Sequence, residues 1–454
     1  MAEAKISIKV FVDKVRKRVV YAEADHTFVD ILFSFMTMPM GTIVRLLSKA
    51  SDEKIEALGS LNILYQSLND FPESYLATEE CKFMLLNPRN LSYDLCRNLK
   101  LKIDDTEPLK YFLCGDCRSK GYTCNMRFSI CNKAKCIRCG KLMSSYHSSA
   151  ISNVFVGGGM FVSDIATFIV TDDLSVIPYS AAGILRLLAD LGINDTSLLE
   201  ERKLDLDSKQ MLYLVKMAFS LDSPLTCYVL HEHNMFLNPR QSITFHRCDP
   251  MNKETTTSSK MVLEVSLQKS TGKFLFAEAK EDFVDFVFGF LSIPLGTVIG
   301  TLMKGTSSIR CFDNLFRSIL NMNVERYFKS QDTKNKLVKP PPGQEYCSKN
   351  MIFPLIGHTI TSLSVSGYSY QLKDPRIEGS FLKQSGLFYV TDDLSISPSS
   401  SHLVINTLNK LKVKVDDIEK HEITIGFEEG LNMLKASLRS QSTLTNIIKH
   451  QLKK

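Results

Sequence analysis

The chain has 454 residues, of which 44% are hydrophobic and 23% are charged, and its formal net charge is +6. This composition excludes a disordered or collagen-like chain and predicts a globular protein with an ordinary packed core. The length exceeds what one core usually organises, so we expect two or three domains.

Each half of the chain begins with a predicted β-hairpin. In the first half, β-branched runs at residues 6–12 and 18–22 flank a charged turn. The second half repeats this pattern at residues 261–267 and 274–277. No long apolar stretch precedes the first hairpin, so we expect no secretory signal. A chain without this signal is expected in the cytoplasm or nucleus, with its twelve cysteines reduced.

A helical segment follows each hairpin and carries the clearest internal repeat. Residues 28–35 are predicted to form a helix that is interrupted near Pro39 and resumes over residues 42–47. The equivalent residues of the second half lie at a constant distance of 255 positions. The repeated groups are Ala22-Glu23-Ala24, Phe28-Val29-Asp30, Pro39 and Gly41-Thr42, which recur as Ala277-Glu278-Ala279, Phe283-Val284-Asp285, Pro294 and Gly296-Thr297.

The second helical segment contains the one stretch that reaches the length of a membrane span. Residues 286–303 carry no charge over 18 positions. However, Pro294 and Gly296 lie near its middle, and the matching stretch of the first half includes Arg45. We therefore interpret this region as a buried helix-turn-helix and expect no membrane partner.

A second repeated motif, Thr171-Asp172-Asp173-Leu174-Ser175, returns 220 residues later as Thr391-Asp392-Asp393-Leu394-Ser395. Each copy follows a short predicted strand, and amphipathic helices are predicted after it over residues 181–191, 209–221, 402–411 and 428–438. Adjacent strand residues point to opposite faces, so paired carboxylates rarely converge on one ion. We interpret these aspartates as turn or helix-cap residues rather than as a catalytic pair.

These repeats predict an α+β fold of two related modules, each a hairpin followed by helices. The first copy spans residues 1–245, a polar linker spans 246–260, and the second copy spans 261–454. Because the offset falls from 255 to 220, the first copy holds 35 residues that the second lacks. A Cys-rich insert at about residues 108–145 accounts for most of them.

The insert has the spacing of a zinc ribbon. Cys114 and Cys117 form one C-x₂-C pair, and Cys136 and Cys139 form another after an eighteen-residue gap. Two such pairs meet as a tetrahedral Cys₄ site, which is closed and therefore structural. We predict one zinc ion in the first copy only, with Gly140 in a positive-φ turn. Cys124 and Cys131 are interpreted as buried thiols, with replacement of one ligand as the alternative.

The basic character of the chain is also concentrated in this insert. Residues 110–141 contain eight Lys and Arg residues and one Asp, which gives this segment a formal charge of +7. The insert is therefore a candidate nucleic-acid interface, with Tyr122 or Phe128 stacking on bases and cations meeting phosphates. The alternative is that the charges keep a small ribbon soluble. The candidate phosphate contacts are Arg118, Lys120, Arg127, Lys133, Lys135 and Arg138.

The combination of these motifs resembles the plant family catalogued as domain of unknown function 674, in two tandem copies. The resemblance covers nearly the whole chain and implies a plant origin, but it implies no activity and no catalytic residue. We predict a non-enzymatic, zinc-stabilised binding or scaffold protein with a projecting ribbon and a protein partner. The alternative function is nucleic-acid binding through the basic ribbon.

Overall fold

Two five-stranded antiparallel sheets, covered by helices, form the body of the computed structural model. The structure describes residues 4–49, 58–106, 110–116, 126–148, 160–230, 260–343, 352–355, 357, 362–365, 368–383 and 386–451. The predicted linker, residues 246–260, lies outside these ranges except for its last residue. The mixture of helices and antiparallel strands is the α+β class that the sequence predicts.

The first half supplies one sheet, its helices and the strands of the insert. In chain order its elements are β1 (Ile6–Asp13), β2 (Arg18–Asp25), α1 (His26–Thr37), α2 (Met40–Lys49), α3 (Gly59–Asp70), α4 (Glu79–Leu86), α5 (Tyr93–Cys96), β3 (Lys110–Leu113), β4 (Arg127–Phe128), β5 (Ser145–Ser148), β6 (Thr167–Thr171), β7 (Val176–Pro178), α6 (Ala181–Asp190), β8 (Leu199–Leu206), α7 (Ser208–Ser220) and α8 (Pro224–Leu230).

The second half follows the same sequence of elements around the second sheet. These are β9 (Met261–Gln268), β10 (Lys273–Lys280), α9 (Glu281–Gly289), a π-helix (Thr297–Leu302), α10 (Arg310–Asn321), α11 (Val324–Tyr327), α12 (Gln331–Val338), β11 (Ser362–Val365), β12 (Tyr368–Leu372), β13 (Leu387–Val390), β14 (Ile396–Pro398), α13 (Ser401–Leu411), β15 (Ile418–Ile425), α14 (Phe427–Ser437) and α15 (Thr443–Gln451).

The two sheets have the same strand order, β7-β6-β2-β1-β8 and β14-β13-β10-β9-β15. Both predicted hairpins are confirmed, and in β1 the alternating apolar residues are buried against the helices. β8 pairs along the whole of β1, from Ile6 opposite Leu206 to Asp13 opposite Leu199. β15 pairs with β9 in the same way. β8 and β15 are not predicted from the sequence, because their charged residues obscure the alternating strand pattern.

Each sheet is completed by a helix from the other half of the chain. α3 packs against β14 and α14 of the second half. There Ser67 Oγ donates to the Ile396 carbonyl at 2.6 Å and accepts from the Ile396 N–H at 2.7 Å. Reciprocally, α10 packs against β7 and α7, where Ser318 Oγ accepts from Val176 N–H at 2.8 Å. The halves therefore exchange equivalent helices and share one continuous hydrophobic core.

The exchange has local two-fold symmetry. Pro39 pairs with its own repeat equivalent, Pro294, in an antiparallel bridge. On one side Met40 N–H donates to the Ile293 carbonyl, and on the other Leu295 N–H donates to the Met38 carbonyl, both at 2.9 Å. A residue that pairs with its own equivalent lies on the symmetry axis, as in an isologous dimer interface. The two halves thus meet as two subunits of a swapped dimer do.

The uncharged stretch of the second half is buried, as the helix-turn-helix interpretation predicts. α9 ends at Gly289, a 3₁₀ turn follows at Phe290–Ser292, and the π-helix begins after Pro294. Its large side chains lie in the core, with Phe288 and Ile293 each 0% exposed. Within the described residues, no helix combines the length and the apolar character needed to cross a membrane.

One buried carboxylate in each half holds the chain that leads into the third strand of its sheet. Asp30 accepts from the backbone N–H groups of residues 160–162 at 2.6–2.9 Å. Asp285 accepts from Phe381 N–H at 2.6 Å and from Ser380 Oγ at 3.2 Å. Burial raises the pKa of both carboxyl groups, that of Asp285 to about 7. The repeated Phe-Val-Asp motif is therefore a structural anchor.

The raised pKa of Asp285 predicts a pH dependence of stability. The folded state binds this proton more tightly than the unfolded chain, so the stabilisation is complete below about pH 4 and is lost as the pH rises through about 7. Relative to the wild type, Asp285→Asn should gain at least about 1 kcal/mol between about pH 4 and pH 8, since one pKa unit corresponds to about 1.4 kcal/mol. Urea unfolding at both pH values measures this difference.

The control for this experiment is Asp417→Asn. Hydrogen bonds from Ser270 and Gln268 lower the pKa of the Asp417 carboxyl, whereas burial raises the pKa of the Asp285 carboxyl. Stability from Asp417 is present above about pH 4 and is lost only at lower pH, so this variant should not gain stability as the pH rises. If the difference between Asp285→Asn and the wild type does not change with pH, the buried carboxylate has no such effect.

Candidate metal centre

The second cysteine pair lies on a tight knuckle within the insert. Met143 N–H donates to the Ala134 carbonyl at 2.8 Å, and Cys136 N–H donates to the Lys141 carbonyl at 2.8 Å. Gly140 N–H closes the turn on the Cys136 carbonyl at 2.9 Å. Gly140 has φ +70°, a conformation that favours glycine, as the sequence predicts. The knuckle thus turns its thiols toward one point.

Three of the four predicted ligands converge in the structure. The sulfur atoms of Cys114, Cys136 and Cys139 all lie within 4.8 Å of one another. The sulfurs of Cys114 and Cys139 are 3.5 Å apart, and neither cysteine forms a disulfide within the described residues. Cys114 and Cys136 are each 5% exposed, in a small apolar cluster with Ala134 and Met143. Cys117, the fourth predicted ligand, lies outside the described residues.

The spacing of the three sulfurs fits a tetrahedral metal site. Four thiolates about 2.3 Å from a central zinc ion lie roughly 3.8 Å from one another. The Cys114–Cys139 separation of 3.5 Å is close to that value, and no separation among the three sulfurs exceeds 4.8 Å. Cys131 lies outside this group, buried at 1% exposure. Burial raises the pKa of its thiol, so the group stays protonated. This placement agrees with a buried thiol. Cys124 lies outside the described residues.

The described part of the insert is docked on the second half and does not project, so that prediction was wrong. β4 pairs with β12 in parallel, and Gln371 N–H and Lys373 N–H donate to the carbonyls of Met126 and Phe128, each at 2.7 Å. An apolar cluster fills the junction, because the insert alternates apolar residues on one face. Its buried members are Met84, Tyr111, Leu113, Phe128 and Ile130.

The predicted nucleic-acid contacts are divided between the surface and the junction. Lys133, Lys135 and Arg138 are exposed, and Lys135 lies 3.9 Å from Glu79. Arg127 instead donates to the Leu372 carbonyl at 3.2 Å. Phe128 is 0% exposed, so the prediction that it stacks on bases was wrong. Of the remaining predicted residues, Arg118, Lys120 and Tyr122 lie outside the described part of the chain.

The duplicated aspartates serve as caps and turns, as the sequence predicts. Asp172 accepts from Thr226 N–H at 2.8 Å and from Thr226 Oγ1 at 2.6 Å, at the start of α8. Asp173 accepts from Thr171 Oγ1 at 2.6 Å within its own turn. Burial raises the pKa of Asp172 to about 6. Asp392 caps α15 in the same way. Carboxylates held by these donors stabilise the helix ends and turns that they contact.

A cleft that the sequence did not reveal lies between α2, α4 and the base of the insert. Its volume is about 370 Å³. Arg45 donates to Asn87 Oδ1 at 2.6 Å and forms an ion pair with Asp105, to which Lys49 donates at 2.8 Å. These residues have no recognisable motif spacing in the sequence. One sequence difference pointed to the cleft: Arg45 is not repeated, since the equivalent residue of the second half is Gly300.

Comparison with known proteins identifies the family. The family model described as "Protein of unknown function (DUF674)" matches residues 2–428 and, in a second overlapping match, residues 373–454. One match covers both sheets, so it sets no boundary between two copies. No curated protein and no solved structure matches the chain significantly. The chain therefore belongs to the DUF674 family of proteins of unknown function.

Proposed function

We propose that the chain is a non-enzymatic binding or scaffold protein whose insert is stabilised by a structural zinc ion. The single observation that supports this most is the convergence of the Cys114, Cys136 and Cys139 sulfurs within 4.8 Å. Cys117 is the proposed fourth ligand. A Cys₄ site has no open coordination position, so the metal stabilises the fold and leaves no place for a substrate.

The proposed zinc ion has a defined structural task. It joins the strand end at Cys114 to the knuckle at Cys136, and both lie next to the junction with the second half. Metal binding by thiolates contributes folding free energy directly, because the unfolded chain has no preformed site. The ion would therefore hold the insert in the shape that pairs with β12.

The remaining features of the proposal come from the sequence. We propose that residues 1–245 and 261–454 are tandem copies joined by a linker at 246–260, in a plant protein of the cytoplasm or nucleus. Its partner is proposed to be a protein. Nucleic-acid binding stays the alternative prediction, and Lys133, Lys135 and Arg138 are the exposed members of its predicted contacts within the described residues.

Zinc analysis of the purified full-length protein tests this proposal. We expect about one zinc ion per chain by elemental analysis, since one Cys₄ set is present. Cys136→Ser should lose the ion and expose the insert to limited proteolysis, because the knuckle sulfur is a ligand. A chelator should produce the same proteolytic pattern in the wild type.

Cys131→Ser provides the matched control, since Cys131 is a buried thiol of the same insert that lies outside the sulfur group. It should retain the full zinc content and the wild-type proteolytic pattern. Wild-type protein without zinc, or equal zinc in both variants, would contradict the proposed site. Loss of zinc in Cys131→Ser would instead assign Cys131 as a ligand.

A further inference from the structure

We propose that the cleft between α2, α4 and the insert binds a small organic anion, a phosphate or carboxylate carried on an apolar or aromatic body. This inference rests on the proposed binding function and adds the chemical class of one ligand. Four observations support the inference. The cleft is lined mainly by cations, two lining residues hold buried polar atoms without a partner, part of the lining is apolar, and the described part of the second half has no equivalent cleft.

Cationic side chains dominate the cleft. Arg45, Lys49, Arg89 and Lys110 line it against a single carboxylate, that of Asp105, which leaves a formal charge of +3. A concave surface lined by one sign of charge concentrates counter-ions. Guanidinium groups bind carboxylate and phosphate oxygens with matched geometry. The cleft therefore selects negatively charged ligands.

Two buried polar atoms in the lining have no hydrogen-bond partner in the described part of the structure. These are Arg45 Nε and Thr106 Oγ1. The Arg45 side chain is 13% exposed, so its charge is largely withdrawn from water. A buried donor without an acceptor destabilises the free protein. Because both atoms are shielded from water, an oxyanion in the cleft would reach Arg45 Nε only through a shift of the Arg45 side chain, which would supply the missing acceptor on binding.

Part of the cleft lining is apolar. Met84 and Ile130 are 2% and 8% exposed, and the rings of Phe83 and Phe112 also line it. Phe83 is a large hydrophobic side chain that is 38% exposed. Small-molecule sites commonly combine such an apolar wall with a few placed polar groups in a volume of about 300–1,000 Å³. A ligand with both an anionic end and an apolar body matches both sides.

The described part of the second half does not repeat this cleft. Gly300 stands where the first half has Arg45, and a Cβ there would lie 2.5 Å from the ring of Phe316. Thr42 and Thr297 donate to the carbonyls of Pro88 and Pro340, which aligns Arg89 with Pro341. Lys110 belongs to the insert, which the second half lacks. The cleft is therefore a specific feature of the first half and is not produced by the shared fold.

Isothermal titration of the full-length, zinc-loaded protein with 1-naphthyl phosphate and with 1-naphthoate tests this proposal. At least one of the two should bind with one site per chain, and the stronger one identifies the anionic group. Lys49→Met should weaken that binding by about tenfold or more, since a hydrogen bond to a charged group contributes about 1.5–3 kcal/mol. Arg45→Met should do the same if thermal denaturation shows that it folds.

Lys304→Met is the matched control, because Lys304 is the repeat equivalent of Lys49 and lies outside the cleft. It should leave the affinity unchanged. The neutral analogue 1-naphthol should bind at least about tenfold more weakly than the anion. The proposal is overturned if neither anion binds, if 1-naphthol binds equally well, or if Lys49→Met and Lys304→Met have equal affinities.

Zinc analysis of the same samples separates this inference from the proposed function. Protein that contains zinc but binds neither naphthalene anion refutes the cleft ligand and leaves the metal site standing. Protein that binds an anion in the Lys49-dependent manner but contains no zinc refutes the metal site and leaves the cleft ligand standing.

Discussion

Residues 1–245 and residues 246–454, produced separately, are each expected to fail to reach a cooperatively folded monomeric state. The reason is the exchange of α3 and α10 between the two sheets. Without residues 246–454 the first sheet lacks α10, and Ser318 no longer accepts from Val176 N–H. The buried face of α3, which includes Leu61 and Leu64, also loses its contacts with β14 and α14. Gel filtration and near-ultraviolet circular dichroism of each half measure this outcome.

Co-production of the two halves is the control for this experiment. We expect a 1:1 complex with the circular dichroism spectrum of the intact chain, because the exchanged helices need no covalent link between the halves. Full-length protein cleaved at a protease site introduced within residues 246–260 should also stay associated. A monomeric half with a cooperative unfolding transition would contradict the structural exchange.

The sequence revealed the local structure well but not the exchange. The alternating residues of β1 and β9, and the Pro39 and Pro294 interruptions, are local signals, and the structure has the predicted hairpins and breaks. Long-range packing decides which sheet α3 covers. The sequence of α3 predicts that the helix has an apolar face, but not which surface packs against that face. An internal repeat predicts equivalent elements and leaves open whether each packs within its own copy.

The candidate sites were predictable to different extents. Cysteine spacing predicted the convergence of the Cys114, Cys136 and Cys139 sulfurs, because the chemistry of a metal site restricts both residue type and separation. Nucleic-acid binding does not require cations at a fixed spacing, so the basic residues of the insert could not be assigned a role from the sequence. One of them, Arg127, lies in the junction with the second half. The anion cleft joins Arg45 to Lys110 across 65 positions of sequence. Only the folded chain brings such residues together.

Lys373→Met is expected to destabilise the protein by about 3–5 kcal/mol, the cost of leaving a buried charge without its partner. Lys373 Nζ lies 2.7 Å from Glu80 Oε1, and the side chains are 12% and 5% exposed. The pair joins α4 of the first half to the end of β12, beside the docked insert. Urea unfolding of the full-length variant measures the change in free energy.

Two further variants decide whether burial is the cause. Lys336→Met removes an ion pair of the same 2.7 Å length, with Asp332, whose side chains are 43% and 73% exposed. It should cost less than about 1 kcal/mol, since exposed pairs are screened by solvent. Glu80→Gln combined with Lys373→Met leaves no unpaired charge and should recover most of the lost stability. If Lys373→Met costs no more than Lys336→Met, the junction between the halves does not depend on this pair. The apolar cluster around Phe128 would then hold the insert in place without it.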